Sequence, residues 1–310
     1  HLLSAERAAR GSFYATRVGF VAINPKGQRL ARAHNGFPHG VRETLERWGR
    51  KEKDFYHLHA ECAGIMNAAR HGYATQGATA YITHAPCPGC MRALAEAGFA
   101  KIVLGEQSLF ERQDWREDIE RSLALAREHK IEIRIYRDGE RSLAAADITR
   151  TELDLKKVYD ALLPQARGTN EVAGGISPAT KPESPQWVEH PVIQALFGCA
   201  RGGLALLGAG VVVDYRPECR AATALIQAGI RHVVVRQRAG DAQDPRWAEA
   251  LEMDRAEAIL AQDAGVTLDY AETGASLAAL LAKAPVYLDA TREGLKIEGL
   301  RLLRPPARKI

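Results

Sequence analysis

Ala80-Tyr81-Ile82-Thr83-His84-Ala85-Pro86-Cys87-Pro88-Gly89-Cys90-Met91-Arg92-Ala93-Leu94, running on through Ala97-Gly98 to Lys101-Ile102-Val103-Leu104, is the stretch on which the fold turns. Residues 78–83 are β-prone and end in a proline turn, 87–98 carry helical periodicity closed by Gly98, and 101–104 form a second apolar run. Together they make a β-α-β unit. Working outward, the Ala-rich segment 59–71 predicts a buried helix, 113–129 a further helix and 131–136 a strand. Upstream, 18–23 and 28–33 flank Asn24-Pro25-Lys26-Gly27 and read as a hairpin, behind a first helix capped by Ser4 and reaching about Thr16. Strands alternating with helices predict an α/β domain of three αβα layers.

The chain has 310 residues, of which 46% are hydrophobic and 26% charged, with a formal net charge of +4. At roughly 100–200 residues per domain that length predicts two domains, each able to bury its own core. No run reaches the ~18–20 apolar residues of a membrane span, so no membrane partner is expected. Five scattered cysteines, Cys62, Cys87, Cys90, Cys199 and Cys219, are not a disulfide framework, which favours a reducing compartment and a cytoplasmic protein. With 6% aromatic residues and so small a positive excess, nothing argues for a nucleic-acid groove. The Gly- and Pro-containing segment 164–186 has linker composition and divides a first domain, 1–163, from a second, 187–310.

The second domain carries an echo of the first. Residues 80–104 align without a gap on 211–235, so that Pro86 meets Pro217, Ala97 meets Ala228 and Gly98 meets Gly229 at one constant offset of 131 residues. The same offset places His59 on His190, Arg70 on Arg201 and Gly72 on Gly203. A tandem duplication is expected. The second copy lacks an opening hairpin, but 286–297 resembles the first one, with Gly294 in the place of Gly27. The copy is therefore expected to be circularly permuted, its first two strands supplied from the C-terminus.

The chemistry lies in His59-Ala60-Glu61 and Pro86-Cys87-Pro88-Gly89-Cys90. One imidazole and two cysteines suit three positions of a tetrahedral Zn²⁺, leaving the fourth open for water, whose pKa falls from ~15.7 toward ~7. The cysteines open a helix, where the dipole favours thiolates. Glu61, two residues from a ligand, is placed to move protons. A closed zinc knuckle or a redox dithiol is the competing reading; the knuckle needs a fourth ligand, and Cys62 is the one spare cysteine in this domain. Cys62 otherwise reads as a small core residue. His34, His39, His57 and His84 gather around the motif and suit either a second metal or ordinary hydrogen bonding. Arg42, Arg47, Arg50, Lys51 and Lys53 read as a solvated face or a phosphate clamp.

The order H-x-E…P-C-x-x-C is the signature of zinc nucleobase deaminases. With Asn35-Gly36-Phe37-Pro38-x-Gly40, Thr83-His84 and Ala97-Gly98, the chain resembles the cytidine deaminase superfamily, and within it the deoxycytidylate (dCMP) deaminases, over about residues 15–136. The resemblance implies a cytidine deaminase-like αβα fold, zinc held by His59, Cys87 and Cys90, and Glu61 as the catalytic proton shuttle. It further implies a nucleotide substrate contacted by Asn35, Gly36, Ala60 and Pro86, with Gly36 and Pro38 shaping the loop over the sugar. The expected reaction is hydrolytic deamination of a cytosine nucleotide, dCMP first, to the uracil nucleotide and ammonia. That branch has Asn two residues after the Glu, and here the position is Ala63, which removes a polar contact.

Two rival functions are a deaminase acting on another nucleoside, a nucleobase or a base in single-stranded nucleic acid, and a non-enzymatic zinc-stabilised binding module. The intact Glu61 speaks against the module. At the shared offset Glu61, Cys87 and Cys90 become Val192, Glu218 and Ala221, so the second copy is expected to be degenerate and inert. Since the superfamily builds sites across subunit contacts, either a homo-oligomer or an intramolecular pseudo-dimer is expected.

Overall fold

A computed structural model describes residues 1–14, 16–44, 46–48, 53–105, 116–136, 191–213, 217–236, 256–271, 279, 287–291 and 294–298. In the first half, α1 (Leu2–Ala9) precedes the hairpin β1 (Gly19–Ile23) and β2 (Arg29–His34). The short α2 (Lys53–Tyr56) and α3 (Ala60–His71) follow, then β3 (Thr79–Ile82), α4 (Pro88–Glu96), β4 (Lys101–Gly105), α5 (Arg116–Glu128) and β5 (Glu132–Tyr136). The strands form one sheet in the order β2-β1-β3-β4-β5. Only the hairpin breaks the parallel run: β1 is antiparallel to β2 and β3, whereas β3, β4 and β5 are parallel.

Alternation along β1 shows how the layers form. Val21 and Ile23 meet Ala5 of α1 on one face, and Phe20 and Ala22 join the core containing α3 on the other. Every residue of β1 is buried as a result, and the layers are αβα as expected. Ser4 is not the cap of α1: the helix begins three residues earlier, with His1 at its N-cap, because the Ser4 N–H already donates to the His1 carbonyl at 2.9 Å, and it ends at Ala9 rather than about Thr16.

The second half repeats the central pattern with α6 (Pro191–Gly202), β6 (Gly210–Val213), α7 (Cys219–Ala228), β7 (His232–Arg236), a π-helical turn (Ile259–Asp263) and β8 (Thr267–Ala271). Its sheet is completed by β9 (Tyr287–Thr291) and β10 (Gly294–Glu298), in the order β10-β9-β6-β7-β8. The C-terminal pair thus takes the edge expected of it. Its direction differs, however: β9 runs parallel to β6, whereas β1 runs antiparallel to β3. Permutation moves chain ends without reversing a strand, so the expected circular permutation is corrected. A strand enters a sheet parallel to its neighbour through a crossover connection and not through a tight turn. Gly294 also opens β10, paired with Thr291, whereas Gly27 lies in its turn at φ +80°.

The two halves share one apolar core. α3 packs on α6 and α7, so Ile65 and Met66 lie in the same cluster as Val192, Ile193 and Leu196. This explains why α3 is buried nearly all round. The contact is reciprocal: the Thr75 N–H donates to Ala200 O at 2.9 Å and the Leu206 N–H to Ala69 O at 3.0 Å, each residue of one pair being the counterpart of one in the other at the 131-residue offset. Gly72 and Gly203, at φ +70° and +74°, behave the same way; a Cβ on Gly72 would stand 2.9 Å from Ala205 Cβ, and one on Gly203 3.0 Å from Ala74 Cβ. The linker 164–186 lies outside the described residues. Among those described, no helix is long and apolar enough to cross a membrane.

Candidate active site

Two helix N-termini converge beyond the carboxyl end of β3. His59 caps α3 in an extended conformation, and Cys87 caps α4, with its sulfur accepting the Cys90 N–H at 3.5 Å and Pro88 opening the helix. His59 Nδ1 lies 3.6 Å from Cys87 Sγ and 3.4 Å from Cys90 Sγ, and the three donor atoms are within 4.8 Å of one another. Ligands at ~2.3 Å (sulfur) and ~2.0 Å (nitrogen) around a tetrahedral ion stand about 3.6 Å apart, so this set fits zinc without rearrangement. Cys62 Sγ is 4.0 Å from Cys90 Sγ but is buried in the core and outside that three-atom group. A closed four-ligand knuckle is therefore not what these residues form. Among the described residues no second such group occurs.

The site's electrostatics already call for a cation. Burial alone would depress the His59 pKa, but the charge and hydrogen bond of Cys87, with Glu61 and Cys62, together raise it to about 9. Cys87 is held well below the ordinary thiol range, chiefly by hydrogen bonding with Cys90 and then by His59, against the cost of burial. Glu61, 4% exposed in the first turn of α3, has its pKa raised mainly by burial, with His59 opposing. A carboxyl group raised in this way holds a proton more readily than an exposed one, which suits it to proton transfer.

The surrounding residues hold the loop that carries Asn35 and Gly36. Gly36 and Leu58 exchange backbone hydrogen bonds of 3.1 and 2.9 Å, which ties the Asn35–Pro38 loop to the residue before His59. The Asn35 amide is turned to the backbone: Oδ1 accepts the Val18 N–H at 2.8 Å and Nδ2 donates to Thr16 O at 3.0 Å. One Nδ2 hydrogen and one Oδ1 lone pair remain for a ligand. Ala60 and Pro86 are both buried beside the ligands.

Several neighbours take places that the sequence reading did not give them. His57 stands 5.1 Å from the His59 ring, with burial the main cause lowering its pKa to about 2, so it is neutral. Tyr14 packs on His57 at 4.2 Å and on Trp48 at 4.8 Å, and Phe37 stacks on Trp48 at 4.8 Å, forming an aromatic wall from separate segments. Of the basic stretch, Arg50 and Lys51 lie outside the described residues, and Arg47 is neither a bare solvated side chain nor a free phosphate clamp. Its guanidinium lies 4.6 Å over Tyr56 and bonds Asp263 of the second half at 2.5 Å. Gln227, also from the second half, accepts the His39 N–H at 3.1 Å and donates to Asn67 Oδ1 at 2.8 Å. No motif marks these partners; the reciprocal helix packing alone brings them near.

In the second half, Val192 and Ala221 are buried and Glu218 caps α7, so the counterparts of Glu61, Cys90 and Cys87 supply no comparable group. His190 lies outside the described residues.

Three potential metal donors with a buried carboxylate beside them fit an open, catalytic zinc site rather than a closed structural one. Residues 1–106 match the cytidine and deoxycytidylate deaminase zinc-binding region. The chain is 30% identical over 119 residues to an uncharacterised deaminase of the luxG 3′ region of Aliivibrio fischeri, covering 38% of this chain and 78% of that protein. It therefore belongs to the cytidine and deoxycytidylate deaminase family. It is also 40% identical over 65 residues to the deoxycytidylate deaminase of Enterobacteria phage T4, covering 21% of this chain and 32% of that one, about a third of its length. The crystal structure of dCMP deaminase from cyanophage S-TIM5 with dCMP and dUMP is 24% identical and covers 44% of this chain and 93% of that chain. Its TM-score of 0.36 is too low to bear on function.

Proposed function

We propose that this protein hydrolytically deaminates a free cytosine nucleotide, with dCMP the preferred substrate, giving the uracil nucleotide and ammonia. The observation that carries the reading is a buried Glu61 beside His59, Cys87 and Cys90, whose donor atoms stand at tetrahedral ligand spacing. The name of the phage T4 relative, deoxycytidylate deaminase, supports the choice of nucleotide.

His59 Nδ1 and the Cys87 and Cys90 sulfurs would hold the zinc. Bound there, zinc supplies Lewis acidity that lowers the pKa of water toward neutrality. Glu61 takes the proton of the attacking water, delivers it to N3 of the ring and then passes one to the departing amine. Water adds at C4, the C4–N4 bond breaks and ammonia leaves. Ala60 and Pro86 bound the site on its buried side, and His57, held neutral, adds no repulsion to a cation at His59. Asn35 reaches the sugar with its remaining donor and acceptor while its other two bonds hold the 16–18 backbone.

The active site belongs to a first domain, 1–163, and the second domain, 187–310, is a worn copy that takes the place of a partner subunit. What supports the duplication is the reciprocal set of contacts at one sequence offset. Ammonia release from dCMP, CMP, deoxycytidine, cytosine, adenosine and guanine, and from a single-stranded oligonucleotide, tests the substrate, with Glu61→Ala as control. Turnover on dCMP that vanishes in Glu61→Ala is expected. Turnover on the oligonucleotide alone would overturn the choice.

A further inference from the structure

The reciprocal contact between the halves gives each interface residue an internal counterpart, and at one place the two sides disagree in charge. On one side Arg201 of α6 lies along Gly98, with its Cγ 3.2 Å from where a Cβ would stand. Its Nη2 donates to Ala95 O at 3.2 Å and stands 4.0 Å from the Glu96 carboxylate. On the other side the counterpart Arg70 of α3 lies along Gly229 in the same way, with its Cγ at 3.1 Å. The carboxylate does not recur. The counterpart of Glu96 is Gln227, whose amide is engaged by His39 and Asn67, and the counterpart of Ala100 is Arg231. A neutral pair, Arg201 with Glu96, is thus replaced by two cations, Arg70 and Arg231.

Arg70, Arg231 and His39 line a cleft of ≈ 230 Å³ between the halves, floored by Ile226, Ile230 and Val266, and none of its lining residues is acidic. Asp263, next to the cleft in sequence, is held by Arg42 and Arg47. Arg231 is exposed and gives one N–H to Ala264 O at 3.0 Å, leaving most of its donor fork directed elsewhere. Burial and the charge of Arg231 both lower the pKa of Arg70, the sign of two cations facing each other without a counter-ion.

We propose that this cleft is a phosphate-binding site in which Arg70 of the first half and Arg231 of the second close on one phosphoryl group. Two guanidinium forks match the oxygens of a phosphate, and an anion between them turns repulsion into attraction. The volume falls below the ~300 Å³ at which pockets for whole small molecules begin, so the cleft takes a phosphoryl group and not a nucleoside. That group belongs either to the substrate or to a separate phosphorylated ligand. The inference rests on the interface and not on the deamination reading, because binding is measured without turnover.

The test is titration of the zinc-loaded full chain with inorganic phosphate at constant ionic strength, followed by calorimetry. Saturable binding is expected, weakened about tenfold or more in Arg70→Met and in Arg231→Met, variants that keep the aliphatic stem. Arg201→Met, at the counterpart position, should bind as the wild type does. Absence of saturable binding, or equal binding by the Arg70→Met/Arg231→Met double variant, would overturn the site. Circular dichroism and thermal melting of each variant separate lost binding from lost folding. With binding abolished, a KM raised for dCMP but not for deoxycytidine assigns the phosphoryl group to substrate. An unchanged KM for both assigns it to a separate ligand, and either result upholds the site.

Discussion

Each metal donor is held by its own backbone position. Cys87 and His59 are both N-caps in extended conformation, so their side chains leave the helix starts toward one point, while Cys90 follows one turn into α4. This part of the site was legible in the sequence because ligand chemistry dictates residue type and helical geometry dictates spacing. The surroundings were not. Asn35 reads from its motif as a sugar contact, yet its amide already carries two bonds to the 16–18 backbone, which no local pattern announces. His57 looked like one of several loop histidines until burial beside Tyr14 and His59 set it apart. Replacing Cys90 by Ala removes one of three ligands from a group with no fourth close by, so zinc content measured after dialysis should fall from one per chain to near zero. Cys62→Ala should retain its zinc.

At the scale of elements, the clearest constraint is the approach of α3 to β1. A Cβ on Gly64 would stand 2.1 Å from Phe20 Cδ1, inside the sheet face that carries the core. Gly64→Ala is expected to cost about 1–3 kcal/mol of stability through overpacking, read as a lower urea midpoint with unchanged slope. The loop carrying Arg47 is anchored differently, by an acid from the π-helical turn of the other half whose side chain is 1% exposed. Asp263→Asn should lower stability by roughly 1–3 kcal/mol, because a charged hydrogen bond to Arg47 is lost and the buried position persists. Most elements of the first half were readable because each apolar run has one period and a Gly or Pro boundary, but the four-residue α2 was not among them and α1 stops at Ala9 rather than about Thr16. The direction of β9 was not readable, since an edge strand's sense is set by how the chain reaches it and not by its own residues.

For the molecule as a whole, the shared core means that neither half presents a finished surface. Removing the second half would expose Ile65, Met66 and their neighbours on α3 as one apolar face. A fragment ending at 163 is expected to self-associate or lose activity, as sizing chromatography and ammonia release would show. A monomeric fragment with full turnover would mean the second half is no surrogate partner. The constant offset is legible in the sequence, but only the folded chain shows residues at that offset meeting across the contact between the halves. The central chemical proposal is that Glu61 moves protons at a zinc held by His59, Cys87 and Cys90. Ammonia release from dCMP by the zinc-loaded full chain, compared with Glu61→Gln at equal zinc content, tests it most directly. The expected result is dUMP formation by the wild type and a fall of about 10²–10⁴-fold in the variant. Undiminished turnover in Glu61→Gln would contradict it.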